Sequence, residues 1–229
     1  MPAESTKLLL ARRVEPARRS VMSGGSAIDR GYTAVNQALA ALVILLLSPL
    51  LIFIALKIWR VDGAPVTFGH YRVGRRGQLF RCLKFRSMVR NSAEVLDSIL
   101  RDSEAARAEW ERDHKLRDDP RVTPIGKFLR KTSLDELPQL FNILRGDMHF
   151  VGPRPVTVEE LARYGASKRH YLSVRPGLTG LWQVSGRNNT TYGERVEYDS
   201  QYVESRNPIF DGWIVLRTVK VLLTRDGAH

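Results

Sequence analysis

The hydrophobic residues of this chain are gathered most densely in one block. Residues 31–56 carry no charge, and AVNQALAALVILLLSPLLIFIAL within them is apolar enough for a membrane helix. As a straight helix the block would extend about 39 Å, more than a hydrocarbon core requires. Ser48-Pro49 interrupts it. Proline removes a helical hydrogen bond and clashes with the preceding turn, so the pattern predicts a kink over residues 45–49. Lys7, Arg12, Arg13, Arg18, Arg19 and Arg30 precede the block, and residues 57–90 hold nine basic residues against Asp62 alone. Positive charge on both flanks gives a span no orientation and suits a helix whose two ends meet the same surface. The expectation is a re-entrant membrane helix over residues 31–58 with its break at Ser48-Pro49. A bitopic span and a buried core helix are the alternatives.

Downstream, VDGAPVTFGHYRVGRRGQLFRCLKFRSM reads as two short strands about a glycine-rich turn at residues 74–77. Residues 91–116, free of Gly and Pro, predict an exposed helix that Asp118-Asp119-Pro120 ends. Further helices are expected at 124–131, 134–145, 157–172, 191–205 and 208–224. The last places Arg217 and Lys220 among bulky apolar residues, a pattern that suits either the membrane interface or packing on a core. The predicted fold class is α+β and mainly helical: a flexible basic arm (1–30), the re-entrant helix (31–58), and a compact catalytic domain (59–229) with a small β-hairpin and interfacial amphipathic helices. The apolar block starts too late and runs too long for a cleavable signal peptide.

The 229 residues carry a formal net charge of +12 with a pI near 10.2. Such a balance implies an anionic partner: nucleic acid, anionic lipid or a phosphorylated substrate. The lone Cys82 excludes an intrachain disulfide and a thiolate metal cluster, and His70, His114, His149, His170 and His229 are scattered singly, against a zinc site. Neither a phosphate loop nor a dinucleotide fingerprint occurs, and the absence of a base-reading motif beside a membrane segment argues against nucleic acid as the partner.

Chemistry concentrates in RKTSLDELPQL, residues 130–140. Asp135 and Glu136 are adjacent carboxylates beside Arg130 and Lys131, a setting suited to work on a phosphate: one carboxylate attacks phosphorus while the other holds a divalent metal. Ser133 with Glu136 three residues later also fits a capping box opening a helix through LPQLFNILR. In KFRSM, Lys84 and Arg86 stand two apart on a predicted strand and would share a face. In VGPRPV, Pro153 and Pro155 stiffen the backbone around Arg154, presenting its guanidinium to a phosphate or base unless the segment is a linker. VRPGLTGLWQVSGR sets Arg175, Trp182 and Arg187 among glycines, which permit close backbone approach to a ligand, with Trp182 stacking on a base or lying in the bilayer interface.

In this order, KFRSM, DDPRVTPIGKFLRKTSLDELPQLFNILRGDM, VGPRPV and RPGLTGLWQVSGR resemble the bacterial sugar transferases known as monotopic phosphoglycosyl transferases, from about Ala34 to the carboxyl end. The Ser48-Pro49 break matches too. The resemblance implies transfer of a hexose 1-phosphate from a UDP-sugar, glucose or galactose, to undecaprenyl phosphate, with release of UMP, as the first membrane step of exopolysaccharide or related glycan synthesis. It implies that Asp135 forms a covalent phosphosugar intermediate and Glu136 helps bind Mg²⁺. Lys84, Arg86 and Arg130 fall at basic active-site positions, Pro153, Arg154 and Pro155 in the nucleotide-binding motif, and Arg175 in the next motif. It further implies the cytoplasmic face of a bacterial inner membrane, with membrane lipids as partners and homodimerisation left open. The chain resembles the short form, without the extra membrane helices of longer members. The rival class is a non-catalytic membrane protein recruiting partners in a polysaccharide machine, for which Asp135 would be dispensable.

Overall fold

A computed structural model describes residues 27–113, 116–186 and 190–224. The first 26 residues of the basic arm, Arg187, His114 and His229 lie outside these. The chain is mainly helical, and its contacts divide it into two units. One comprises the chain up to residue 47, residues 69–83 and everything from 139 on; the other comprises residues 48–68 and 84–138.

The apolar block forms helix α1 (Ala27–Asp62), which runs without interruption through Pro49. It begins four residues before the expected boundary at residue 31, so Arg30 belongs to the helix rather than to the arm. It is long and apolar enough to cross a membrane. Leu39, Leu42, Leu45, Leu46, Ile52, Phe53 and Leu56 are exposed, whereas Asn36, Ala40, Leu51, Ile54 and Ile58 form a narrow buried stripe at helical spacing. The division between units falls between Leu47 and Ser48, at the Ser-Pro step.

Strands β1 (Thr67–Val73) and β2 (Leu79–Phe85) pair as the expected hairpin, joined by a 3-10 turn (Arg75–Gly77). At its tip Arg76 adopts a left-handed backbone conformation, φ 57°.

In the first unit, α5 (Gln139–Arg145) leads into β3 (His149–Val151), which pairs in parallel with β4 (Gly177–Thr179). The sequence pattern does not foretell this pair, because each strand is three residues long and lies among prolines and glycines. Backbones approach closely here: a Cβ on Gly177 would stand 2.1 Å from Gly152 N, and one on Gly180 2.2 Å from Gly152 O. The glycines of RPGLTG therefore admit the chain's own backbone rather than a ligand. Between the strands, the helix expected at 157–172 is broken into α6 (Val158–Ala162), a 3-10 turn (Gly165–Ser167) and α7 (Lys168–Ser173), with Gly165 at φ 51°. Helices α8 (Leu181–Ser185), α9 (Tyr192–Ser205) and α10 (Pro208–Thr224) follow. One core joins Val73, Val156, Leu161, Tyr164 and Tyr171; another joins Val151, Leu181, Tyr202 and Ile214. On α10, Ile214 is fully buried while Ile209, Leu216 and Leu223 are exposed, so the helix packs on the core by one edge and presents the other outward.

In the second unit, the helix expected over 91–116 is two helices, α2 (Ser92–Asp102) and α3 (Glu104–Asp113). Ser103 divides them, its hydroxyl accepting a bond from Ala106 N at 3.1 Å as the cap of α3. Helix α4 (Pro124–Thr132) starts where expected: Thr123 caps it, accepting from Gly126 N at 3.0 Å, and Pro124 occupies the first turn.

Candidate active site

The carboxylate pair sits on a 3-10 turn (Leu134–Glu136) directly after α4, in the second unit. Ser133 ends α4 in a left-handed conformation (φ 58°) and its side chain makes no capping bond. The capping box is therefore not formed. The expected helix over 134–145 begins only at Gln139, after Pro138, because proline favours a helix start over a helix interior. This break holds the Asp135 and Glu136 side chains on a tight turn.

Lys84, at the end of β2, joins the two acids. Its Nζ donates to Glu136 Oε1 at 2.6 Å and lies 3.5 Å from Asp135 Oδ2. Asp135 is buried, while Glu136 and Lys84 remain partly open to solvent. Burial pushes the Asp135 carboxyl above the ordinary aspartate range; the Lys84 ammonium opposes the rise, the Glu136 charge adds to it, and Arg130 also draws it down without cancelling it.

The segment after β2 anchors α4. Met88 bridges Val122, Val89 N donates to Arg121 O at 2.9 Å, and Thr123 N donates to Ser87 O at 3.1 Å. Gly126 presses its backbone on Ser87, where a Cβ would stand 2.0 Å from the carbonyl oxygen. One turn on, Arg130 Nε donates to Ser87 Oγ at 2.8 Å. Nothing in the sequence singles out Ser87 as this anchor. Before α4, Arg121 clamps Asp119 through two bonds of 2.8 and 2.7 Å and lies over the Trp110 ring.

Arg86 does not share a face with Lys84. β2 ends at Phe85, so strand alternation does not reach it. Its buried guanidinium turns to the end of α1, donating to Asp62 O at 3.0 Å and Gly63 O at 2.7 Å and pairing with the Asp62 carboxylate. Arg86 thus caps the carbonyl end of a helix.

Arg154 and Arg175 belong to the first unit, in separate settings. Pro153 is fully buried, and Pro155 is partly buried on the other side of Arg154. The Arg154 guanidinium lies over the Trp182 ring at 5.9 Å. Arg195 lies 4.9 Å from the same ring, and Trp182 Nε1 donates to Thr190 Oγ1 at 2.6 Å. Beneath them Asp199 accepts from the Tyr164 hydroxyl at 2.7 Å, and burial pushes its carboxyl up to about 6 despite Tyr164, Arg195 and Arg154. Sequence reading overlooked Arg195 and Asp199, which stand on α9 with no motif around them. Arg175 donates to Gly146 O at 2.7 Å and pairs with Asp29, which Arg75 also binds.

The pattern that defines bacterial sugar transferases matches residues 30–225. The chain belongs to that family. The chain is 55% identical over 188 residues to the undecaprenyl-phosphate galactose phosphotransferase of Salmonella typhimurium, covering 82% of this chain and 39% of that protein. It is 47% identical over 190 residues to the exopolysaccharide production protein ExoY of Rhizobium meliloti, covering 83% and 84% of the two. It is also 39% identical over 194 residues to the UDP-glucose:undecaprenyl-phosphate glucose-1-phosphate transferase of Escherichia coli, covering 81% and 39%. The chain thus spans about two fifths of the length of the Salmonella and Escherichia relatives.

Proposed function

We propose that this sugar transferase moves a hexose 1-phosphate from a UDP-sugar, glucose or galactose, to undecaprenyl phosphate through an aspartyl intermediate, and so begins a glycan at the membrane. The observation that carries the reading is Asp135: a buried carboxylate on a tight turn, next to Glu136, with the Lys84 ammonium against both. An Asp135 oxygen attacks the phosphorus bonded to the sugar. The bond from that phosphorus to the bridging oxygen breaks, and UMP departs with the oxygen and its electron pair. An oxygen of the lipid phosphate then attacks the same phosphorus, and Asp135 leaves as carboxylate.

Lys84 and Arg130 lessen the repulsion between the carboxylate and the diphosphate, and Lys84 fixes Glu136 in place. Arg154, held between Pro153 and Pro155 beside Trp182, suits a nucleobase or a phosphate, whereas Arg175 is held on Gly146 O and Asp29 in a setting of its own. The donor set also fits Mg²⁺. Among the described residues no three potential metal ligands gather, and an ion of this kind commonly takes one or two carboxylates and completes its shell with substrate phosphates and water. Glu136 would hold it, and it would supply charge neutralisation on the diphosphate. The exposed apolar face of α1 supports membrane association; the basic residues on both of its flanks favour the re-entrant placement at the cytoplasmic face of the inner membrane, with residues 59–229 as the catalytic domain and the outward edge of α10 in the interface.

The test is UMP release by the purified chain with Mg²⁺, undecaprenyl phosphate and UDP-glucose or UDP-galactose, together with acid-quenched trapping of labelled sugar phosphate on protein. Asp135→Asn should abolish both while remaining folded. Full turnover by that variant would remove the aspartyl mechanism.

A further inference from the structure

The first unit contains a polar cavity, of about 270 Å³, formed by the start of α1, the tip of the β1–β2 hairpin and the loop at Gly146. Arg30, Arg75, Arg76 and Arg175 line it against Asp29 and Asp147, four cations to two anions. Arg75 and Arg175 converge on a single oxygen, Asp29 Oδ2. Carbonyls fix them from behind: Arg75 Nε donates to Ser173 O at 3.0 Å, and Arg175 Nε donates to Gly146 O at 2.7 Å. These bonds engage Nε and Nη1 of both groups; among the described residues the Nη2 edges take no hydrogen bond. Two guanidiniums held side by side by one carboxylate, with a surplus of positive charge, form a preorganised receptor for a tetrahedral oxyanion. Arg76 adds a further sign. An arginine occupies a left-handed turn position that glycine would fill without strain, and it lines the same cavity.

The surroundings indicate where the oxyanion comes from. Asp29 and Arg30 lie in the first turn of α1, and Val35 and Leu39, exposed and apolar, follow on the same helix. From Asp29 to Val35 the helix rises about 9 Å, comparable to the depth of the headgroup layer above the acyl chains. We propose that this cavity holds the phosphodiester of an anionic glycerophospholipid whose acyl chains lie along α1. The inference rests on the membrane placement proposed above and adds a specific lipid site to it. A purely structural ion-pair network at Asp29 would bind no such group.

Arg76→Gly tests this cleanly, because glycine accepts the left-handed conformation and the variant keeps its fold. The detergent-solubilised full chain is titrated calorimetrically with short-chain phosphatidylglycerol, short-chain phosphatidylcholine, inorganic phosphate and undecaprenyl phosphate. Saturable binding of phosphatidylglycerol in preference to the others is expected, weakened about fivefold by Arg76→Gly and at least as much by Arg75→Gln, with UMP release by Arg76→Gly unchanged. Undiminished phosphatidylglycerol binding in Arg76→Gly, or inorganic phosphate binding equally tightly, overturns the proposal. So does tighter binding of undecaprenyl phosphate with a raised KM for it in Arg76→Gly. The readout needs no turnover, so a chain that released UMP but bound no phosphatidylglycerol would refute the lipid site and leave the transferase reading intact.

Discussion

Gly126→Ala tests whether the contact of α4 with Ser87 sets the geometry of the carboxylate pair. An alanine Cβ would stand 2.0 Å from Ser87 O, whereas real Cβ atoms essentially never come closer than 3.0 Å. The obstacle is backbone, not the end of a flexible side chain, so α4 and Ser87 must part by about 1 Å. Arg130, four residues along the same helix face, then loses its bond to Ser87 Oγ, and the turn bearing Asp135 and Glu136 shifts against Lys84. A misplacement of ~1 Å costs roughly 100-fold in rate when the reacting groups must be aligned. Overpacking itself costs about 1–3 kcal/mol, a fall in Tm of about 2–4 °C per kcal/mol for a chain of this size. The assay pairs kcat/KM for UMP release with a melting curve. Gly212→Ala serves as the control, since a Cβ there meets nothing within 4 Å in the helix interior of α10; it should gain about 0.5–1 kcal/mol and keep full activity. Activity within about threefold of wild type in Gly126→Ala, with an unchanged Tm, would refute the argument that close packing at Gly126 positions the site.

Two predictions concern pH. Attack requires ionised Asp135, whose carboxyl burial raises above the usual range; turnover should therefore fall on acidification at a higher pH than an ordinary aspartate would give, and Glu136→Gln, removing a like charge, should move that limb down in a profile of kcat/KM. A limb at the ordinary carboxylate value would contradict the burial argument. Asp211 on α10 accepts from the Tyr202 hydroxyl at 2.9 Å, and burial raises it from 3.8 to about 7. Its folded form holds the proton that the unfolded form releases, so its stabilising contribution is full below about pH 4 and is lost as pH rises through 7. Asp211→Asn should therefore melt higher than wild type at pH 8 and no higher at pH 4; equal melting at both would show that the group titrates normally.

Legibility differed between elements for physical reasons. The hairpin, α4, α9 and α10 follow from turn residues, a Thr-Pro start and helical apolar spacing, each a local signal. β3 and β4 pair through bare backbone, with Gly152, Gly177 and Gly180 in contact, and such pairing leaves no alternation of side chains to read. Ser133 and Glu136 have the spacing of a cap, but the left-handed Ser133 closes a helix instead of opening one. Lys84 and Arg86 show the limit of strand parity: the rule fails one residue past the strand's end, where Arg86 turns to the carbonyls of Asp62 and Gly63. The dyad itself and Lys84 were legible because adjacent acids beside cations form a chemical rather than a conformational pattern. The partners of Arg154 were not, since Arg195 reaches Trp182 from another helix.

The polar residues inside α1 bear on how the chain is made. Asn36 Oδ1 accepts from Phe150 N at 2.9 Å, Gln37 Nε2 donates to Leu144 O at 2.9 Å, and Thr33 Oγ1 meets His149 Nε2 at 3.2 Å. Each partner lies more than a hundred residues further along the chain than the side chain it meets. In the membrane placement proposed here, Asn36 Nδ2 finds Tyr32 O at 2.9 Å within its own helix, but the nascent segment meets lipid with Asn36 Oδ1 and the Gln37 amide unmatched, a cost relieved only when α5 and β3 fold against it. Biogenesis then becomes a single coupled event, in which the domain made later completes the insertion of the segment that precedes it. Replacing Asn36 and Gln37 by leucine should help the isolated helix partition into bilayers and weaken the finished protein, a reversal of sign between peptide and whole chain.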